Sequence, residues 1–219
     1  SQLDTSNDAD TALHYVRHLM RQGRIEAALP IIEKWIEDDN RSGFWPYASI
    51  AWRAVGDPRS QWLDGDFVRC VDLSDRLPDM DLLAAHLRGL HMARERHLDQ
   101  SVRGGTQTDG ALFSRVEPIV KSLRAAVCEA VSDYIAALPP ADPRHPLLSY
   151  RRDRTPRFAG SWSVRLTGAG FHSNHVHPAG WISSALYVCV PSTDERGEAD
   201  AGCLQIGQPQ GELNVALPP

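Results

Sequence analysis

Hydrophobic and polar positions in residues 1–60 follow the spacing of amphipathic helices. Helices are predicted over Ala9–Gln22, Ile25–Asp38 and Phe44–Val55. In the first of them Ala12, Val16 and Leu19 fall on one face, and Gly23 supplies the stop. We therefore predict a helical region at the start of the chain.

Two similar segments in this helical region indicate a repeat. Leu19–Gly23 and Trp52–Gly56 lie 33 residues apart, close to the tetratricopeptide period of about 34. About one and a half repeats of this kind cannot bury their apolar faces alone. We therefore expect these helices to cap the rest of the fold or to continue from a longer natural N-terminus. The tryptophans either line a groove for a partner or form the core of a helical hairpin, and the second interpretation is favoured. They are Trp35, Trp45 and Trp52.

The middle of the chain mixes several patterns. A strand is predicted over Asp66–Leu73, an amphipathic helix over Asp79–Arg96, a polar glycine-rich loop over Ser101–Gly110 and the longest helix over Glu117–Leu138. The loop is either a plain connector or an active-site segment in which Arg103, Gln107 and Thr108 contact a substrate.

The last third of the chain changes to a strand-like pattern. Val164 and Leu166 alternate with polar residues, and the stretch Gly168–Gly170 indicates a turn. Further strands are predicted over Trp181–Val190, Cys203–Ile206 and Leu213–Ala216. The predicted fold class is therefore α+β, with a helical region (residues 1–60) followed by a β region with buttressing helices (residues 61–219).

A histidine pair lies between two of these predicted strands. Because residues two apart on a strand share a face, His175 and His177 would present two imidazoles side by side, which suits a divalent transition metal. Nine histidines in 219 residues would give about 0.4 such pairs by chance, so the spacing alone also fits ordinary histidines. His172 has the opposite parity and is expected near the pair or exposed.

Composition narrows the functional classes. A net charge of −5 and a pI of about 6.0 give no sign of a surface for nucleic acid or an anionic membrane. No apolar run has transmembrane length, and the four scattered cysteines have neither metal-site nor disulfide-framework spacing. We expect a cytoplasmic protein with reduced thiols, and neither nucleic acid nor a membrane as a partner.

Three segments resemble a known family: SVRGGTQTDGALFS (101–114), SWSVRL (161–166) and FHSNHVHPAGWISSALYV (171–188). They are similar to 2-oxoglutarate- and Fe(II)-dependent oxygenases in which tetratricopeptide-type helices precede a double-stranded β-helix, a jelly-roll or cupin-like fold. The resemblance spans residues 62–219. It implies a dioxygenase that uses Fe(II), 2-oxoglutarate and O2 to hydroxylate a C–H bond of a protein or peptide side chain, or of a small metabolite.

The resemblance also implies site residues. His175 matches the first metal ligand of the family, and His177 stands where most members carry the acid of a 2-His-1-carboxylate triad. The related aspartyl/asparaginyl β-hydroxylases lack that acid and bind iron with two histidines. His177 is therefore either a ligand or a neighbour of the site, and we favour a ligand. Arg165, Ser184 and Tyr187 are the candidates for binding 2-oxoglutarate.

The end of the chain departs from the family pattern. The distal histidine and the basic partner of the 2-oxoglutarate carboxylate normally follow the region that here reads Gly202–Pro209. No histidine follows His177, so either the natural chain continues past Pro219 or this copy is inactive. An end in the middle of a β pattern favours a truncated chain.

Two alternatives to the oxygenase stay open. A cupin-like protein would bind a metal through the same histidine pair without needing 2-oxoglutarate. A non-catalytic interaction module would use its helices to bind a partner and keep the β region as a degenerate scaffold.

Overall fold

The computed structural model describes residues 8–38, 43–92, 101–198 and 200–218, and it shows a mixed helix-and-sheet protein. Its helices are α1 (Ala9–Arg21), α2 (Ile25–Asp38), α3 (Trp45–Val55), α4 (Arg59–Leu63), α5 (Met80–Leu90), α6 (Pro118–Ala136) and α7 (Thr193–Arg196). The strands β1 (Val102–Gln107) and β2 (Val164–His172) pair antiparallel. Short 3-10 helices lie at Leu112–Ser114 and Gly211–Leu213.

The three N-terminal helices confirm the predictions from hydrophobic spacing. The side chain of Asp8 accepts the backbone N–H of Thr11 and caps the start of α1. Gly23 and Gly56 follow α1 and α3 with φ values of 68° and 72°, a left-handed conformation that glycine adopts without a steric penalty. These stops lie 33 residues apart, at the two segments that indicate a repeat. The tetratricopeptide assignment itself stays a prediction.

One hydrophobic cluster belongs to these three helices. Ile32 and Trp52 are among its buried members, and Trp35 and Trp45 pack against it while partly exposed. The tryptophans therefore contribute to a core, as the favoured interpretation has it. Leu213, far away in the sequence, is fully buried in the same cluster. The C-terminal end of the chain thus packs on the N-terminal helices.

A second hydrophobic cluster joins α5 to α6. Leu83 and Leu87 of α5 pack with Val120 and Leu123 of α6. Leu112, in the 3-10 helix between β1 and α6, completes the buried set. This cluster therefore packs α5 against α6 and the 3-10 helix that follows β1.

A buried histidine connects the helical region to the chain after α6. The His145 ring meets Trp62 edge-on at 4.6 Å between centroids, and Trp62 lies 6.0 Å from Trp45 of α3. His145 Nδ1 accepts the backbone N–H groups of Leu147 (3.1 Å) and Leu148 (3.2 Å). Its Nε2 therefore carries the proton and donates to the Trp62 carbonyl oxygen at 3.0 Å. This hydrogen bonding requires a neutral imidazole.

The sheet corrects two predictions made from the sequence. Residues 102–107, predicted as part of a loop, form β1 and pair with β2. The turn predicted at Gly168–Gly170 is a bulge within β2, where the register shifts opposite Gly104. A Cβ on Gly170 would lie 2.2 Å from the carbonyl oxygen of Gly104. The two backbones can approach this closely because neither residue has a side chain.

Four other predicted strands are wrong. No strand forms over Asp66–Leu73, Trp181–Val190, Cys203–Ile206 or Leu213–Ala216. A strand needs a hydrogen-bonding neighbour, and within the described residues the sheet contains only β1 and β2. A two-stranded sheet does not by itself make a double-stranded β-helix. Helix α5 ends at Leu90, before the predicted Arg96, and residues 93–96 lie outside the described part of the chain.

Two further observations concern the helices and the cysteines. Across the described ranges, no helix combines the length and apolar character required to cross a bilayer. The four cysteines are free thiols. The cytoplasmic location stays a prediction.

Candidate metal centre

The histidine pair follows directly after β2. The strand ends at His172, and an irregular segment carries His175 and His177 to a turn at Pro178. The Nε2 atoms of His175 and His177 lie 3.0 Å apart, with 4.7 Å between the ring centroids. The two imidazoles are side by side, as their spacing predicts, although they lie beyond the strand and not within it.

A backbone carbonyl and a neighbouring histidine orient the His175 ring. Its Nδ1 lies 2.7 Å from the carbonyl oxygen of Ser173. Because a carbonyl only accepts, Nδ1 carries the proton and Nε2 keeps its lone pair. His172 stacks on His175 at 5.8 Å between centroids. The Nε2 of His175 therefore accepts from the Nε2 of His177 at 3.0 Å, and it is the atom that a metal would bind in place of that proton.

The residue that precedes β1 anchors the histidine segment. The Ser101 hydroxyl hydrogen-bonds Nδ1 of His172 at 2.9 Å. The Ser101 carbonyl oxygen accepts the backbone N–H of Ser173 at 2.9 Å and the Ser173 hydroxyl at 3.2 Å. Strand pairing thus fixes the point at which the histidines leave β2.

The surroundings of His172 and His177 favour the neutral form of these two rings. Burial, and after it the charge of His175, lower the pKa of His177, whose ring lies 5.6 Å from that of Trp162. Burial, followed by the charges of His175 and His177, also lowers the pKa of His172. A neutral imidazole is the form that binds a metal ion. The lowered pKa values therefore favour the metal-binding form near neutral pH.

The geometry of the pair fits two positions on one metal ion. Two nitrogen ligands at about 2.1 Å from a metal and at right angles to each other lie about 3.0 Å apart. This equals the separation of the two Nε2 atoms. Among the residues described, no group of three or more His, Cys, Asp or Glu side chains is arranged to hold a metal. The described part of the chain offers two protein ligands here.

The three residues predicted to bind 2-oxoglutarate lie outside these contacts. Arg165 is an exposed residue of β2. Ser184 and Tyr187 lie in the irregular segment after the turn, and both are exposed. None of the three takes part in the hydrogen bonds and ring contacts given above for the histidine pair. The structure thus places the two predicted metal ligands side by side, and the role of the three predicted cosubstrate residues stays a prediction.

The next candidates are the three residues of the predicted loop that were expected to contact a substrate. Thr108 is buried, and its Oγ1 accepts the backbone N–H of Ser163 at 3.0 Å. Its own N–H donates to the Ser163 carbonyl oxygen, also at 3.0 Å. Thr108 is therefore a structural residue that extends the pairing of β1 and β2. The other two candidates, Arg103 and Gln107, lie on β1 itself.

Sequence reasoning missed the two serines that anchor the site. Ser101 and Ser173 are ordinary polar residues in the sequence, and their spacing does not indicate a role at the histidine pair. Only the pairing of Val102 with His172 makes them neighbours. The signal that could have found them is the strand character of residues 102–107.

Comparison with known proteins bears on this region. Residues 160–218 match the family model described as "Putative 2OG-Fe(II) oxygenase". Searches of curated proteins and of solved structures each gave no match. The family match includes both histidines and supports an oxygenase assignment for residues 160–218. The family implies Fe(II) as cofactor, with 2-oxoglutarate and O2 as cosubstrates.

Proposed function

We propose that this protein is an Fe(II)- and 2-oxoglutarate-dependent dioxygenase in which His175 and His177 bind the metal. The observation that carries the proposal is the 3.0 Å separation of the two Nε2 atoms, which matches adjacent ligand positions on one metal ion. The family match over residues 160–218 supports it. We also infer that β1 and β2 are two strands of the double-stranded β-helix that this family implies.

Each neighbour of the pair has a role in this proposal. Ser173 holds the Nδ1 proton of His175, so that Nε2 faces the metal. Ser101 fixes the segment through His172 and Ser173. Bound Fe(II) supplies the redox chemistry that couples O2 and the decarboxylation of 2-oxoglutarate to the hydroxylation of a C–H bond. Two protein ligands suit this reaction because a bidentate keto acid and O2 both need positions on the metal.

For 2-oxoglutarate we propose Arg165, Ser184 and Tyr187. Arg165 supplies the cation that pairs with a carboxylate, and the other two supply hydroxyl donors. All three are exposed and therefore accessible to a ligand. The substrate class is a protein or peptide side chain, or a small metabolite.

The test is an anaerobic titration of the chain with Fe(II) and then with 2-oxoglutarate. We expect the visible charge-transfer absorption of a keto acid bound to Fe(II) in the parent protein. It should be lost in His175→Ala and in His177→Ala. It should persist in His14→Ala, a matched control on the exposed side of α1. Circular dichroism of each variant shows whether the helices are intact.

The outcomes separate the proposed function from its alternatives. Fe(II) binding that depends on both histidines but gives no response to 2-oxoglutarate would indicate a cupin-like metal-binding protein. Absence of Fe(II) binding in a folded parent chain would overturn the proposal. A loss of the 2-oxoglutarate response in Arg165→Gln, with Fe(II) binding retained, would support the role of that residue. Arg151→Gln is the control, since its guanidinium pairs with Asp153 on the surface.

A further inference from the structure

The segment of residues 207–218 packs on the N-terminal helices through the 3-10 helix Gly211–Leu213 and the residues that follow it; we call it the strap. Leu213 is fully buried in the hydrophobic cluster of α1–α3, and Val215 and Leu217 pack against the same cluster while partly exposed. The intervening Asn214 and Ala216 are exposed. Three apolar side chains of the strap therefore contact the helices, although the backbone between the first two is not extended, since Asn214 has a left-handed φ of 54°.

Arginines from two helices hold the strap by charge and by its backbone. The Glu212 carboxylate pairs with Arg17 and also with Arg21, whose Nη2 lies 3.3 Å from Glu212 Oε1. Arg53 of α3 donates through Nη1 to the Gly207 carbonyl oxygen at 2.5 Å and through Nη2 to that of Pro218. Carbonyl groups at both ends of the strap are thus held by one side chain.

The electrostatics of this contact are complementary. Arg17, by its hydrogen bond and charge, lowers the pKa of Glu212, and Arg21 adds to this effect. Tyr47 of α3 is buried close to the same charges, and burial raises its pKa. The helices therefore present an apolar pocket with a cationic rim, and the strap supplies leucine directly after glutamate.

The strap is tethered by a stretch without regular structure. Residues 202–207 are all exposed, so the strap reaches the helices from a surface segment. Such a tether keeps the local concentration of the strap high while leaving its contacts exchangeable. The Arg–Glu contacts are partly exposed to solvent, where an ion pair contributes little to stability.

We propose that the groove of α1 and α3 is a peptide-binding site that the strap occupies within the same chain. Its partner is a protein with a segment in which glutamate directly precedes leucine in a short helical turn, with further apolar residues after it, as Glu212, Leu213, Val215 and Leu217 stand in the strap. Such a segment binds by displacing residues 207–218. This surface differs from the tryptophan-lined groove considered from the sequence, because its specificity comes from Arg17, Arg21 and Arg53.

Displacement of the strap also reaches the histidine segment. Asn174, next to His175, donates through Nδ2 to the Pro209 carbonyl oxygen at 2.8 Å. Pro209 is buried, whereas Asn174 is exposed. Partner binding at the helices therefore releases one contact of the segment that carries the histidine pair. The groove and its test do not depend on the proposed oxygenase activity.

The test uses a fluorescein-labelled synthetic peptide of residues 207–218 and the full chain. In Leu213→Asp the strap no longer fits the pocket, so the peptide should bind this variant at least about tenfold more tightly than the parent, whose own strap competes. Leu204→Asp is the matched control, since Leu204 is 60% exposed and lies outside the strap. It should behave as the parent does. Fluorescence anisotropy gives the affinities.

Charge reversal tests the specificity. A peptide carrying Glu212→Lys should lose binding to the Leu213→Asp chain, and binding should return when the same chain also carries Arg17→Glu and Arg21→Glu. Should Leu213→Asp fail to fold, the chain Glu212→Lys opens the groove without changing a buried side chain. Failure of the peptide to bind either opened chain with intact helices, or equal binding of the charge-reversed peptide, would overturn the proposal.

Discussion

Helices α1–α3 and the segment from β2 to residue 218 differ in how their backbone groups are satisfied. Each helix forms its hydrogen bonds within itself, so local spacing and a glycine stop are enough to define it. In the later segment, backbone pairing joins β2 to β1, which lies before α6 in the chain. A hydrophobic pattern in the sequence is therefore enough to predict a helix. For a strand the same kind of pattern leaves open whether the segment finds a strand to pair with.

The side chains show the same difference. Apolar residues of α1–α3 are buried in one cluster. In the later segment Phe171, Tyr187 and Leu204 are at least half exposed. Exposed apolar groups contribute little to the free energy of unfolding, because they stay in contact with water in both states. The stability of the protein should therefore depend far more on the helices.

The largest expected effect tests this contrast with two leucines. Leu19→Ala, in a residue that is 2% exposed, should lower the free energy of unfolding by about 2–5 kcal/mol through lost burial and a cavity. Leu204→Ala should change it by less than about 0.5 kcal/mol. Urea denaturation followed by circular dichroism gives both values. Equal losses would show that the later segment is as well packed as the helices.

A smaller effect tests whether the two strands nevertheless form a defined unit. Gly170→Ala should lower the free energy of unfolding by about 1–3 kcal/mol, because the added Cβ meets the carbonyl oxygen of Gly104. Gly89→Ala, in α5 with open space around it, should raise it by about 0.5 kcal/mol through helix propensity. Thermal denaturation compares the two. A neutral Gly170→Ala would mean that the bulge is not held closely.

The smallest expected effect concerns the junction between the two regions. Burial lowers the pKa of His145, although the Trp62 carbonyl and the Asp142 carboxylate act in the opposite direction. The folded pKa is thus below the ordinary value of about 6.5. Stability should be full above that value and fall as the pH drops through it towards the folded pKa, because the unfolded state binds the proton more readily.

His145→Asn checks this assignment. The asparagine oxygen can accept the same backbone N–H groups of Leu147 and Leu148 as Nδ1 does, but it does not titrate in this range. The free energy of unfolding measured between pH 8 and pH 5, a window of about three units, should decline less steeply in the variant. An unchanged slope would assign the pH dependence to other groups, of which His91, His172 and His177 also have lowered pKa values.

Part of the candidate site follows from the sequence. The His175–His177 spacing and the strand pattern before it predict two adjacent imidazoles, and the structure shows them side by side. The hydrogen bonds that orient them could not be foreseen, because Ser101 lies in a segment predicted as a loop. That prediction failed because glycines, here Gly104 and Gly105, usually mark turns, yet this strand needs them for close backbone contact.

The alternation in the predicted strand Leu213–Ala216 is the most instructive case. It predicts a strand, and the structure does bury Leu213 while exposing Asn214. The apolar side faces helices α1–α3 and not a second strand. Period two in the sequence predicts an extended strand with one buried face. Here Leu213 instead ends a 3-10 helix and Asn214 has a left-handed backbone, and distant helices cover the buried side.

The sequence by itself determined the helices α1–α3, their glycine stops and the closeness of His175 to His177, because each depends on residues within a few positions of one another. Only the tertiary structure decided the partner of β2, the serines that anchor the histidine segment and the seating of Leu213 among distant helices. These contacts join residues far apart in the chain. Many alternative pairings satisfy the same local pattern, and the packing of the whole chain selects one of them.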